Sequence, residues 1–321
     1  MIKNTFFYAM LILASTTFVS CSEDSDEVTP TPATTTNTII DIAQGDDFTT
    51  LAAALDRASL TATLNGAGPF TVFAPTNAAF TALLSELGLG GLDEVSDDLL
   101  TEILLNHVVS GTVLSTDLTA GYVSTLATGA QDTKVSLLVD LTAGVKLNNR
   151  ATVTGPDVVA DNGVVHVIDR VLLVPNLVDA AVANPNFSIL VAALTDERLA
   201  NADFVNTLSG SGPFTVFAPT NAAFTALLAT NDEWNGLSDI PAKTLEAVLK
   251  YHVIVGDNIN ASEITDGAKP ATFEGSTFVI NTTDGVVITD MGGRTSTVRL
   301  ADVQTSNGVI HAIDQVLLPI K

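Results

Sequence analysis

The chain has 321 residues and carries 36 Asp and Glu against 13 Lys and Arg, a formal charge of −23, and so acidic a surface repels phosphates and excludes nucleic acid as a partner. The length suits two domains of ordinary size. One cysteine excludes intrachain disulfides, zinc ribbons and Cys-x-x-Cys redox chemistry, and a composition 46% hydrophobic and 15% charged makes the body globular.

In chain order, Lys3 precedes the apolar run Phe6 to Ser20, too short for a comfortable membrane span and ordered like an export signal over residues 1–20. The run ends Thr17-Phe18-Val19-Ser20-Cys21, which resembles a bacterial lipoprotein signal whose cysteine is acylated and becomes the new N-terminus. Cys21 is therefore the expected lipidation site, with an ordinary signal cleaved elsewhere as the alternative. Each buried methylene of its acyl chains would contribute ~0.8 kcal/mol to anchoring. Residues 21–37 continue Ser22-Glu23-Asp24-Ser25-Asp26-Glu27 and then Thr29-Pro30-Thr31-Pro32, a polar tether with nothing to bury. The acidic patch after Cys21 resembles the surface-export signal of Bacteroidetes lipoproteins, a solvating spacer being the other reading. The expected address is an outer membrane lipoprotein displayed at the cell surface.

The body is one unit written twice. Gly68 to Leu84 recurs unchanged at Gly212 to Leu228. Leu105-Asn106-His107-Val108-Val109 aligns with Lys250-Tyr251-His252-Val253-Ile254, and Asn162-Gly163-Val164-Val165-His166-Val167-Ile168-Asp169 with Asn307-Gly308-Val309-Ile310-His311-Ala312-Ile313-Asp314. So long a period marks a duplicated domain, with boundaries expected at 38–175 and 176–321. The copies carry −11 and −9, so neither is a basic arm. Only Val174-Pro175-Asn176 links them, which places the domains nearly in contact.

Each copy opens with an amphipathic helix, from Phe48, Leu51, Ala52 and Leu55 in the first and Phe187, Leu190, Val191 and Leu194 in the second. Phe70 to Ala74 reads as a buried strand, and Thr76 as the N-cap of a helix whose face is Phe80, Leu83, Leu84 and Leu87. A further helix over Asp97 to Asn106 precedes strands at 134–141, 145–147, 152–154, 158–160 and 164–174. Asn162-Gly163 and Asn307-Gly308 read as positive-φ hairpin pairs. Helices early and antiparallel strands late give an α+β class.

The pattern Thr-Val-Phe-Ala-Pro-Thr-Asn-x-Ala-Phe, a later His ending a helix, and Asn-Gly-Val-(Val/Ile)-His-x-Ile-Asp together resemble the fasciclin domain, and all three occur in order in both copies. The resemblance implies two tandem domains, each a wedge-shaped antiparallel β-sandwich flanked by helices, used extracellularly for adhesion. It also implies an adhesive role for Tyr251 and His252. The first copy departs from the pattern, with Asn106 where the second keeps Tyr251, and that weakens any transfer to Asn106 and His107.

The four histidines, His107, His166, His252 and His311, comprise the whole histidine content, and no third ligand stands at a metal spacing, so no metal and no cofactor is expected. His107, His166 and His311 are instead structural hydrogen-bonding residues. Along a strand, His166 and Asp169 point to opposite faces and cannot form two members of a triad. Asp169 and Asp314 would then share the apolar face as internal clamps. Phosphate-loop, dinucleotide, nucleophile-elbow and EF-hand motifs are absent from the sequence. The acidic loops at Asp93-Glu94, Asp97-Asp98 and Asp232-Glu233 read as solvated charge or weak calcium ligands. Trp234 sits in a polar loop as either an exposed contact or a cap on the core. The expected function is non-catalytic adhesion to extracellular protein or polysaccharide. The competing classes are a glycan- or small-ligand-binding lipoprotein of a nutrient-uptake system, and an enzyme using the His and Asp residues. Neither ligand nor oligomeric state follows from the sequence.

Overall fold

The computed structural model describes residues 37–319, so Cys21, the export signal and the tether up to residue 36 lie outside the described residues. The first copy opens with α1 (Ile39–Ala43), α2 (Thr49–Arg57) and α3 (Thr61–Leu64), then β1 (Phe70–Pro75), α4 (Asn77–Leu87) and α5 (Asp97–Leu105). Strands β2 (Val108–Ser110), β3 (Gly121–Thr128), β4 (Lys134–Asp140), β5 (Lys146–Leu147), β6 (Ala151–Ala160) and β7 (Gly163–Ile168) complete it. The second copy repeats the order with α6 (Leu177–Ala183), α7 (Ser188–Leu194), α8 (Phe204–Ser209), β8 (Phe214–Pro219), α9 (Asn221–Leu228) and α10 (Ala242–Tyr251). It ends with β9 (Val253–Val255), β10 (Val279–Asn281), β11 (Val287–Thr289), β12 (Thr295–Thr305) and β13 (Gly308–Ile313).

The identical segment folds identically because its instructions are local. Thr76 accepts the Ala79 N–H at 3.3 Å and Thr220 accepts the Ala223 N–H at 3.3 Å, each satisfying a donor left free at a helix start. Leu87, expected on the apolar face, is exposed, since α4 ends there and Gly88 takes the left-handed conformation.

β1 is buried from its second residue onward because the sheet is covered on both faces. On one side Val72 and Val165 pack under Phe80, Leu100 and Leu104 of the helices. On the other, Phe73, Leu137, Val139, Leu147 and Ile168 fill a separate core. The second domain divides its core in the same way. β1 pairs parallel with β7 and antiparallel with β2, and the seven strands of the first domain close into a barrel. The second domain forms an open six-stranded sheet in the order β10-β11-β12-β13-β8-β9. The α+β class stands, but the expected sandwich gives way to a single sheet in each domain, with the first strand paired parallel to the last (β1 with β7, β8 with β13); the sheet closes in the first domain and stays open in the second.

Three strand-level expectations are corrected. Asn162 and Asn307 do not take positive φ; the turns are Asp161-Asn162 and Ser306-Asn307, and the glycines open the next strands. Glycine is required there by close approach, since a Cβ at Gly163 would lie 2.0 Å from the Phe70 carbonyl oxygen and one at Gly308 2.2 Å from that of Phe214. Strands read at 152–154 and 158–160 are one strand, β6, whose register shifts absorb the polar interruption. Asp169 is exposed rather than on an apolar face, because β7 ends at Ile168 and strand alternation stops with it. Its carboxylate still clamps the sheet end by accepting the Thr152 N–H at 2.7 Å. Asp314, half-buried, accepts the Thr297 N–H at 2.8 Å and pairs with Arg299.

The domains touch through the β3–β4 end of the first and the β12–β13 hairpin of the second. Thr133 Oγ1 donates to Gln304 Oε1 at 2.9 Å, the Gln304 N–H donates to Ser136 Oγ at 3.0 Å, and Asn258 Nδ2 donates to the Ala130 carbonyl at 3.2 Å. Asn184 Nδ2 donates to the Tyr122 hydroxyl at 3.0 Å, and the Tyr122 ring packs against the second domain's core.

Candidate functional site

The residues most suggestive of chemistry are the histidines, and their surroundings account for every ring nitrogen. His107 caps the C-terminus of α5, where its Nδ1–H donates to the Ile103 carbonyl at 2.7 Å and its Nε2 accepts the Leu172 N–H at 2.9 Å. His252 repeats this at α10, with the Val248 carbonyl at 2.7 Å and the Leu317 N–H at 2.9 Å. These partners fix the neutral Nδ1–H tautomer. Burial pulls both imidazoles down to about 4, against the smaller upward pull of the backbone carbonyl.

The other pair is fixed the opposite way. His166 lies in β7 with no exposure, its Nε2–H donating to the Val113 carbonyl at 2.9 Å and its Nδ1 accepting the Asp157 N–H at 3.2 Å. His311 matches it with the Ile259 carbonyl at 2.9 Å and the Asp302 N–H at 3.3 Å. Its pKa is lowered by burial. Each ring thus spends both nitrogens on the main chain, leaving neither a lone pair for a metal nor a proton to trade. Among the described residues no group of three or more His, Cys, Asp or Glu is placed to hold a metal ion.

Tyr251 and His252, the expected adhesive pair, are 0% and 3% exposed. The Tyr251 hydroxyl donates to the Thr277 carbonyl at 2.9 Å and its ring meets Phe278 edge to face at 5.7 Å. Neither side chain offers a surface to a partner in this conformation. Asn106 is also buried and donates to the Leu173 carbonyl at 3.1 Å. Trp234 is half-buried and packs against the second domain's core. Of the acidic loops, Asp97 pairs with Arg57 at 2.7 Å, and Glu94 accepts the Gly90 N–H at 3.0 Å.

The surface feature that sequence reasoning missed is a cleft of about 310 Å³ at the domain junction, with Asn148, Asn149 and Arg150 on one wall, Asp179 and Val182 of α6 on the other, and Leu172 and Pro175 among its lining. Asn148 and Asn149 both have φ of 49°, the left-handed conformation of a tight hairpin between β5 and β6. Asn-Asn between two strands was the available signal. Arg150 pairs with Glu86, which Arg170 also contacts at 2.7 Å, and Asp179 on the other wall offsets Arg150, so the cleft lining carries no net charge.

The fasciclin domain family matches residues 46–175 and again residues 185–319. Periostin of Homo sapiens is 35% identical over 268 residues, covering 82% of this chain and 30% of periostin, so the chain spans under a third of that relative's length. The cell surface glycolipoprotein MPB83 of Mycobacterium bovis is 37% identical over 141 residues, 44% of this chain and 59% of that protein. A solved FAS1 domain pair from the insect cell adhesion molecule fasciclin I aligns at 20% identity with a TM-score of 0.47, covering 87% of this chain and 94% of that one.

Proposed function

The chain belongs to the fasciclin family, and from that premise we propose that it is a non-catalytic adhesion module that binds extracellular protein or polysaccharide at the cell surface, held to the outer membrane through Cys21. The observation that carries the non-catalytic part is the state of the four imidazoles, each buried and bonded to the main chain at both nitrogens. Tyr251 and His252 enter this reading as supports of the second domain's surface rather than as contact residues. The boundaries 38–175 and 176–321 define the two adhesive units. A screen of matrix proteins and immobilised polysaccharides with the intact chain tests the reading. Saturable attachment to at least one of them is expected, and attachment to none would overturn it. Cys21→Ala should release the protein from the membrane fraction.

The junction cleft favours a second reading, a glycan- or small-ligand-binding lipoprotein of an uptake system, since pockets at domain junctions with an apolar floor and a few polar groups are common ligand sites. Binding of a soluble oligosaccharide that Val182→Trp abolishes would favour it over adhesion.

A further inference from the structure

The junction cleft carries two opposite charges on opposite walls, and the fold leaves both with capacity to spare. Arg150, on the hairpin wall, gives Nη2 to Glu86, whose carboxylate Arg170 shares, so two guanidiniums meet one acid and Arg150 keeps further N–H donors. Asp179, on the α6 wall, accepts the Asn176 N–H at 3.2 Å through Oδ2 and joins no ion pair among the described residues. Its Oδ1 is left open.

The rest of the lining supplies amides and apolar surface. Asn148 spends its side-chain oxygen on the Leu138 N–H at 2.9 Å and keeps its Nδ2 hydrogens, and the exposed Asn149 amide has no hydrogen-bond partner among the described residues. Val182, 58% exposed, lies beside them on the apolar side with Pro175. No aromatic residue is in the lining, so a sugar ring finds no stacking face there. The chain's charge of −23 repels free anions, phosphates and acid sugars included. A ligand of zero net charge with its own separated cation and anion escapes that repulsion and uses both walls. At about 310 Å³ the cleft stands at the lower end of ligand pockets, which run roughly 300–1,000 Å³, so the ligand is small.

Given the reading of the cleft as a ligand site, on which this rests, we propose that it binds a short peptide of dipeptide size with both termini free. The carboxylate pairs with Arg150, the ammonium with Asp179, the peptide group with the Asn148 and Asn149 amides, and an apolar side chain packs on Val182. A guanidinium matches a carboxylate through two parallel N–H donors, which fixes the direction of the peptide in the cleft. Both charged residues are exposed, so each ion pair contributes modestly and weakens with salt. The cleft thus selects for free termini more than it binds tightly.

The test titrates the full chain calorimetrically with leucyl-leucine, its N-acetylated and amidated form, free leucine, and cellobiose. Arg150→Gln, Asp179→Asn and Val182→Trp are titrated beside the wild type after a check for wild-type melting. Asp179→Asn retains an oxygen for the Asn176 N–H; if it still melts low, the exposed Arg150→Gln carries the comparison. Leucyl-leucine should bind saturably and at least about fivefold more tightly than the blocked peptide or free leucine, which lack the charges or the peptide group. Arg150→Gln and Asp179→Asn should each weaken it about fivefold, and Val182→Trp should abolish it. Equal binding of the blocked peptide or of leucine overturns the proposal, as does leucyl-leucine binding that the three substitutions leave unmoved. Cellobiose binding in place of the peptide, and lost in Val182→Trp, overturns it while leaving the cleft a ligand site. If none of the four binds, the zwitterionic peptide is overturned, and the ligand-site reading falls only if soluble oligosaccharides fail as well.

Discussion

At the end of α5 the first domain places Asn106, and at the end of α10 the second places Tyr251, each followed by a histidine held in the same geometry. Asn106 is tied into a polar network, because Thr125 Oγ1 of β3 lies 3.3 Å from its Oδ1 and also donates to the Val135 carbonyl of β4 at 3.1 Å. Tyr251 heads an aromatic cluster instead, in which Phe278 meets Phe217 edge to face at 5.3 Å and Phe217 stacks on His311 at 5.3 Å. The first solution accompanies a formed β3 and a closed barrel; in the second, isolated bridges at Ala268 and Ala271 stand where a β3 counterpart would run, and the sheet stays open. A buried amide needs partners and recruits a strand to supply them, whereas a buried ring needs volume filled and is satisfied by neighbouring rings.

The largest expected effect separates the two solutions. Tyr251→Ala should cost about 3–5 kcal/mol in the second domain by leaving a cavity. Asn106→Ala should cost about 1–3 kcal/mol in the first by stranding its partners. Thermal melts resolving both domains check this, and equal losses would break the contrast. Tyr251→Phe, losing the hydroxyl's bonds to the Thr277 and Met291 main chain, should cost about 1 kcal/mol.

Acid acts on both domains through His107 and His252, which are alike. Both are pulled down to about 4 in the folded state, so the unfolded chain binds more protons between the ordinary histidine value and about 4. Their contribution is whole at neutral pH and is lost as pH falls through that window, on the order of 3 kcal/mol for each. Melting temperatures of both domains should decline between pH 7 and pH 4, the second domain's the more steeply because burial also lowers His311; one domain holding constant would show that its imidazole is not buried.

Gly129→Ala acts between the domains. Its φ of −104° suits alanine, so the penalty comes chiefly from the clash with the Thr305 carbonyl, with Val135 Cγ2 also tight at 3.3 Å, about 1–3 kcal/mol, and it should uncouple the two melting transitions. Unchanged coupling would mean the junction yields freely. The smallest effect concerns the clamps. Asp314→Ala, with Thr297 and Arg299 to lose, should cost about 1–2 kcal/mol, and Asp169→Ala, exposed with Thr152 as its main-chain donor, less than about 1 kcal/mol.

β3 shows why part of the barrel was illegible in the sequence. Its inward residues include Thr125, a polar side chain on a buried face, and the alternation that announces a strand is broken there. Thr125 is tolerated because Asn106, 19 positions earlier, and Val135, 10 positions later, meet it in space. The candidate site divides similarly. The imidazoles were legible as structural, since no ligand spacing surrounded them. Their opposite tautomers were not, since each is dictated by main-chain groups as far as 65 residues away.

The sequence by itself determined the duplication, the α+β order of elements, the Thr76 and Thr220 caps and the family, because these rest on residue identity and on contacts a few positions apart. Tertiary structure decided that Tyr251 faces inward, that one domain closes while the other stays open, and that Gln304 is covered while Val159 is bare. Those outcomes depend on which side chains far apart in the chain arrive at the same place, and burial and hydrogen-bond satisfaction are properties of that meeting, not of either residue alone.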